Sequence, residues 1–145
     1  MASGGPALSV YGDRIRRAQA EMAAQDVDFL FIGPSPDLFY LLGFDAHASE
    51  RLNLLIIPRE GKPTYVAPVL EAPLVRDREE LATIEAWGEM EKPADYVARV
   101  VGDAAGKRIG VGDKLWSVFL LRLQAAIPGA TWDSANEVMR QLRMR

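Results

Sequence analysis

Between Val27 and Phe44 the chain passes from an unbroken apolar run, Phe29-Leu30-Phe31-Ile32, through a turn bracketed by Pro34 and Pro36. It then enters an aromatic-rich segment that closes on Gly43-Phe44. A strand with no polar side has no face to give to water, so Phe29–Ile32 reads as a central strand covered on both faces. Pro34 and Pro36 stop it, because neither can donate a ladder hydrogen bond. That requirement rules out an open sheet with one wet face and asks for helices on both sides.

The flanking patterns supply them. Ile15, Ala18 and Met22 recur at helical spacing, which predicts a first helix from about Asp13 to Gln25 with Asp13 as its N-cap. Leu52–Ile57 is a second apolar strand ended by Pro58; Glu60-Gly61-Lys62 turns the chain, and Thr64–Ala67 returns as its antiparallel partner. A helix from Pro73 to Leu81 and a short strand over Thr83–Trp87 follow. Pro93 opens a helix with Tyr96, Val97, Val100, Val101 and Ala104 on its inner stripe, ended by Gly106. Lys107–Val111 is a strand. From Asp113 a helix carries Leu115, Trp116, Phe119, Leu120, Leu123 and Ile127 on one broad face, up to the breaker Pro128-Gly129. Thr131–Asp133 adds an edge strand, and Ser134 caps a last helix through Leu142. A helix, a hairpin, then alternating helix and strand units give one α/β domain with a mixed sheet and helices on its faces.

Composition narrows function. At 145 residues, one domain with a real core fits, and two would be cramped. A net charge of −3 argues against a nucleic-acid surface, which needs clustered excess Lys and Arg. Arg14, Arg16 and Arg17 are interleaved with Ile15 and Ala18 as on the wet side of a helix. With no cysteine, neither a disulfide framework nor a thiolate site is possible, and a cytoplasmic setting is expected. The longest apolar run, Leu115 to Leu123, carries Arg122 and falls short of the ~20 residues that span a bilayer. Met1–Pro6 lacks the charged and apolar regions of a signal peptide, and residues 1–12 are expected to be disordered or partly left by cloning.

Chemistry is sparse. His47 is the one histidine, which excludes a multi-histidine zinc site. The carboxylate groups Asp26/Asp28, Asp77/Glu79/Glu80 and Glu85/Glu89/Glu91 sit at surface-like spacing and read as solvated charge. Ser35, Ser117 and Ser134 lie in no nucleophile elbow. His47-Ala48-Ser49-Glu50 gathers base, hydroxyl and carboxylate, but neighbours in one short loop rarely reach triad geometry. Gly110-Val111-Gly112-Asp113 invites a nucleotide-binding reading; however, the third glycine of the fingerprint is replaced by Leu115, and Asp113 would put negative charge where a phosphate must sit. Of the aromatic set Phe29, Phe31, Phe39, Tyr40 and Phe44, core packing is expected for most, with Tyr40 and Phe44 near the Gly43 bend as exceptions.

The order of these segments resembles the N-terminal domain of the Xaa-Pro aminopeptidase, prolidase (Xaa-Pro dipeptidase) and creatinase family. The carrying stretches are Asp28–Phe44, Glu50-Arg51-Leu52 leading the hairpin, Val69-Leu70-Glu71, Ile109–Gly112 and Asn136–Arg143. Asp37 stands where the family signature usually has Asn, and Leu42 where Thr is common. The resemblance implies a ribonuclease-H-like fold over residues 13–145, followed in the family by a "pita-bread" catalytic domain. That domain supplies two Asp, one His and two Glu to a pair of divalent ions, commonly manganese, cobalt or zinc. No catalytic residue and no metal ligand is therefore expected among these residues, and no cofactor. The resemblance also implies a dimer in which the loop after Gly43-Phe44 borders a neighbour's substrate pocket. Tyr40, Phe44, His47, Glu50 and Arg51 are the pocket candidates, with Arg51 able to pair two-pronged with a substrate carboxylate or to form an ordinary surface ion pair. Alternatives are a stand-alone binding or assembly module of the same fold, the N-terminal domain of a creatinase-like amidinohydrolase, and a small nucleotide-binding protein.

Overall fold

The strand that the apolar run demands, β1 (Phe29–Ile32), lies at the middle of a six-stranded sheet in a computed structural model that describes residues 4–144. Its neighbours are β2 (Leu54–Pro58), antiparallel, and β5 (Arg108–Val111), parallel. β3 (Thr64–Pro68) pairs antiparallel with β2 as the hairpin pattern requires, and β4 (Thr83–Trp87) closes one edge parallel to β3. β6 (Thr131–Ser134) closes the other edge parallel to β5. The order is β4-β3-β2-β1-β5-β6, a mixed sheet.

Strand alternation divides the core into two layers. Leu30 and Ile32, Leu55 and Ile57, and Tyr65 and Ala67 face α1 (Gly4–Gln25), α2 (Pro36–Leu42) and α5 (Asn136–Arg143). Phe31, Leu54, Ile56, Val66 and Ile109 face α3 (Pro93–Val101) and α4 (Ser117–Ala126). Phe31 meets Trp132 edge-on at 5.7 Å across this second layer. Among the described residues no helix is long and apolar enough to cross a membrane.

Several boundaries differ from expectation. α1 begins at Gly4, so residues 4–12, expected to be disordered, are helical; Met1–Ser3 lie outside the described residues. Asp13 is thus not an N-cap but sits within the helix, paired with Arg16 one turn on. The added turns hold because Tyr11 packs against the bend at Gly43. Residues 72–78 form a 3-10 helix rather than an α-helix. α3 stops at Val101, with Gly102 at φ 73° donating its N–H to Ala98 O; Gly106, at φ 75°, serves the next turn. α4 starts at Ser117, not Asp113, because Leu115 turns inward onto Gly33 and Trp116 is extended. Trp116 consequently stays 44% exposed and stacks on Phe119 at 5.8 Å instead of joining the buried stripe.

Candidate functional site

Strands β1, β3, β4 and β5 all run toward the same edge of the sheet, where open α/β sheets place their ligands. The long connection between α2 and β2, residues 43–53, crosses that edge. Its first end is built by α2. Ser35 caps the helix, its Oγ accepting from Leu38 N–H at 3.2 Å and donating to Gly33 O at 2.8 Å. Gly43 ends it at φ 72°, its N–H donating to Phe39 O at 2.8 Å. A Cβ there would overlap the Tyr11 ring. The carbonyls left free at the helix end are taken by two cations. Arg78 donates from Nε to Leu42 O at 2.7 Å and from Nη2 to Gly43 O at 3.0 Å, and Arg14 donates to Tyr40 O at 3.0 Å. Positive charge at a helix C-terminus is favourable in itself.

The second end is pinned to the sheet. Trp87 Nε1 donates to Leu52 O at 3.0 Å. Asn53, buried, accepts from the Tyr65 hydroxyl at 2.8 Å and donates to Glu71 Oε1 at 3.0 Å. Burial drives the Tyr65 phenol far above its ordinary range, so it remains a hydrogen-bond donor at any working pH. Arg51 forms an ion pair with Glu89, and this hydrogen-bonded carboxylate raises the guanidinium's pKa further.

Between the two anchored ends, Asp45, His47, Ala48 and Glu50 are exposed. With Pro34, Ser35, Pro36, Phe39 and Ala46, the first three line an open groove of about 440 Å³. The five candidate residues separate here. His47 faces the groove. Arg51 lines a second, smaller cleft with Asn53, Trp116 and Phe119. Phe44 turns inward and meets Tyr65 edge-on at 5.9 Å. Tyr40 lies under the Arg14 guanidinium at 4.2 Å, and its hydroxyl accepts from Arg17 at 3.2 Å, so it braces α1 rather than the loop. Phe39, expected in the core, is 50% exposed on the groove wall, because α2 buries Leu38, Leu41 and Leu42 instead. Ser49 Oγ bonds the backbone of Arg51, and among the described residues no hydrogen bond joins it to His47 or Glu50, so no triad assembles.

The glycine pair of the nucleotide-like motif is explained by packing. A Cβ on Gly110 would stand 3.0 Å from Leu30 Cδ2 and 3.4 Å from Ala135 Cα, and Gly112 N–H donates to Phe31 O at 2.9 Å. Among the described residues no three His, Asp or Glu side chains gather where a metal ion could be held. Asn53 and Arg78 were not singled out from the sequence. An amide inside the apolar run Leu52-Asn53-Leu54-Leu55 was the available signal for Asn53; Arg78 gave none.

The model of the Creatinase/Prolidase N-terminal domain matches residues 14–145. The chain belongs to that family. As a creatinase/prolidase N-terminal domain it is 33% identical over 138 residues to the "Probable dipeptidase PepE" of Mycobacterium tuberculosis, covering 93% of this chain and 36% of that protein. The crystal structure of dipeptidase PepE from Mycobacterium ulcerans superposes with a TM-score of 0.85 at 33% identity, over 94% of this chain and 37% of that one. The isolated creatinase/prolidase N-terminal domain of an X-Pro dipeptidase from Streptococcus pyogenes shares the fold, with a TM-score of 0.79 at 16% identity over 90% of this chain and 98% of that one. The chain thus spans little more than a third of the length of the full-length relatives it matches.

Proposed function

We propose that this chain is the non-catalytic N-terminal domain, residues 13–145 with the start of α1, of a metal-dependent Xaa-Pro peptidase of the prolidase or aminopeptidase P kind. Its role is to make oligomer contacts and to wall a neighbouring subunit's substrate pocket, in a cytoplasmic dimer. The observation that carries this reading is the loop over residues 43–53, fixed at both ends and presenting His47 from its tip. Such a loop can narrow a pocket without supplying chemistry, because its polar tip is held in place by residues outside it. The kinship with proteins named dipeptidases supports the substrate class.

In this reading a C-terminal catalytic domain follows and holds two divalent ions, manganese, cobalt or zinc. The residues present here do not fit such a pair: there is one histidine, and among the described residues the carboxylates do not converge. His47 would face the substrate, while Arg51 and Phe44 fix the loop that carries it, Tyr40 braces α1 beside it, and Glu50 adds negative charge at the rim.

The test is direct. The 145-residue chain with Mn²⁺ is expected to leave Xaa-Pro dipeptides intact, while the full-length polypeptide cleaves them. In the full-length protein His47→Ala is expected to raise KM about tenfold with kcat nearly unchanged, the pattern of lost binding shared by ground and transition states. Turnover by the short chain alone sinks the proposal. Hydrolysis of an amidino substrate instead of Xaa-Pro bonds by the full-length protein would favour a creatinase-like relative.

A further inference from the structure

α1 is anchored unevenly along its length. From Ile15 onward the stripe Ile15, Ala18 and Met22 is buried and seats the helix on the sheet, whereas none of residues 8–14 is buried. Between the two parts, inside the helix, stands Gly12. A glycine there loosens the helix, because no residue gives up more backbone freedom on becoming helical. Close packing does not demand it: a Cβ would stand 3.5 Å from Arg16 Nη1 and 3.6 Å from Leu81 Cδ2, ordinary contact distances. Little buried surface and a loosened backbone let the first turns open while the rest of the domain stays folded.

Tyr11 fastens these turns to the domain. Its ring covers the bend at Gly43, where an added Cβ would overlap it. The ring centroid also lies 5.4 Å from the guanidinium carbon of Arg14 and 5.8 Å from that of Arg78, within reach of a cation–π attraction. Those two arginines hold the carbonyls of Tyr40, Leu42 and Gly43 at the first foot of the loop. One aromatic ring thus touches the bend and both of the cations that fix it. We propose that residues 4–12 form a strap, hinged at Gly12, whose opening withdraws Tyr11 and loosens the last turn of α2, freeing the first foot of the loop over residues 43–53. The second foot keeps its own bonds, from Trp87 to Leu52 and from Tyr65 to Asn53, so the release is one-sided. Strap and foot share one equilibrium: whatever orders residues 4–12 also orders the foot, and the reverse. The coupling holds whether or not the loop walls a neighbour's pocket.

Amide hydrogen exchange of the 145-residue chain tests this, read at residues 40–43, where the Gly43 N–H closes the last turn of α2 on Phe39 O. In the wild type, residues 9–12 are expected to exchange faster than residues 15–22. Gly12→Ala stiffens the hinge and is expected to slow exchange about fivefold, both at residues 9–12 and at residues 40–43. Tyr11→Ala removes the ring and is expected to speed residues 40–43 about tenfold while β2 and β5 keep their wild-type rates. Tyr11→Phe keeps the ring and is expected to match wild type. Slowing confined to residues 9–12 in Gly12→Ala overturns the proposal. So does a Tyr11→Ala chain whose residues 40–43 are unmoved, or one in which β2 and β5 speed up by the same factor, which marks loss of the whole fold. Gly12→Ala favours the helix, so its result decides the matter even where Tyr11→Ala fails to fold. Neither variant alters His47: failure here leaves the loop's proposed role standing, and a KM unmoved by His47→Ala leaves the strap standing.

Discussion

The two edges of the sheet handle their charged groups in opposite ways. At the edge where β1 and β5 begin, Asp28 accepts the Arg108 N–H at 2.8 Å and, with Asp26, binds Arg59 at 3.2 and 2.8 Å. Arg59 also donates to Val27 O at 3.1 Å, and Arg108 donates to Gln25 O at 2.8 Å and pairs with Asp133 at 3.0 Å. These charges are closed upon one another and upon main-chain oxygens. At the edge where β1 and β5 end, the hydrogen bonds are spent on the feet of the loop, and the polar groups of its tip face solvent. A charged side chain is therefore a poor guide to function until its partners are known: where β1 and β5 begin, the ion pairs tie one chain segment to the next.

The contrast breaks most readily at Gly43. Gly43→Val forces a β-branched residue to φ 72° and into the Tyr11 ring. A loss of about 3 kcal/mol in urea unfolding is expected, along with fast amide exchange over residues 44–51. Next is Asn53→Leu, which leaves the buried Tyr65 hydroxyl without an acceptor; about 2 kcal/mol is expected by the same measurement. Arg59→Ala, on the closed edge, removes a carbonyl hydrogen bond and two partly exposed ion pairs, and about 1 kcal/mol is expected, with loop exchange unchanged. His47→Ala is expected to change stability by less than about 0.5 kcal/mol, since the side chain is exposed and bonded to nothing among the described residues. A larger loss at His47 than at Asn53 would reverse the assignment of the two roles.

Much of this scaffold was legible in the residues. Phe29–Ile32 marked the central strand, Glu60-Gly61-Lys62 marked the hairpin, and the later alternation of helix and strand marked the parallel pairs. These signals are local: periodicity and turn chemistry act over a few residues. What escaped depends on groups far apart in sequence. The start of α1 is set by Tyr11 against Gly43, and the end of α2 by Arg78 reaching back to Leu42. Gly106, expected as the stop of α3, and Gly102, the observed one, are both glycines at φ > 0, and only the observed hydrogen bond to Ala98 distinguishes them. Among the site candidates, sequence position put Tyr40 and His47 in one group; the helix geometry of α2 sends Tyr40 to α1 and leaves Phe39 on the groove.

The attachments at the feet of the loop have a further consequence. Arg14, Arg78 and Trp87 grip the oxygens of Tyr40, Leu42, Gly43 and Leu52, which any amino acid would offer. The grip is blind to the identity of what it holds. Residues along the tip can therefore be exchanged without loosening these attachments, since the demand that the domain fold is met elsewhere, which makes this strip of chain cheap evolutionary ground.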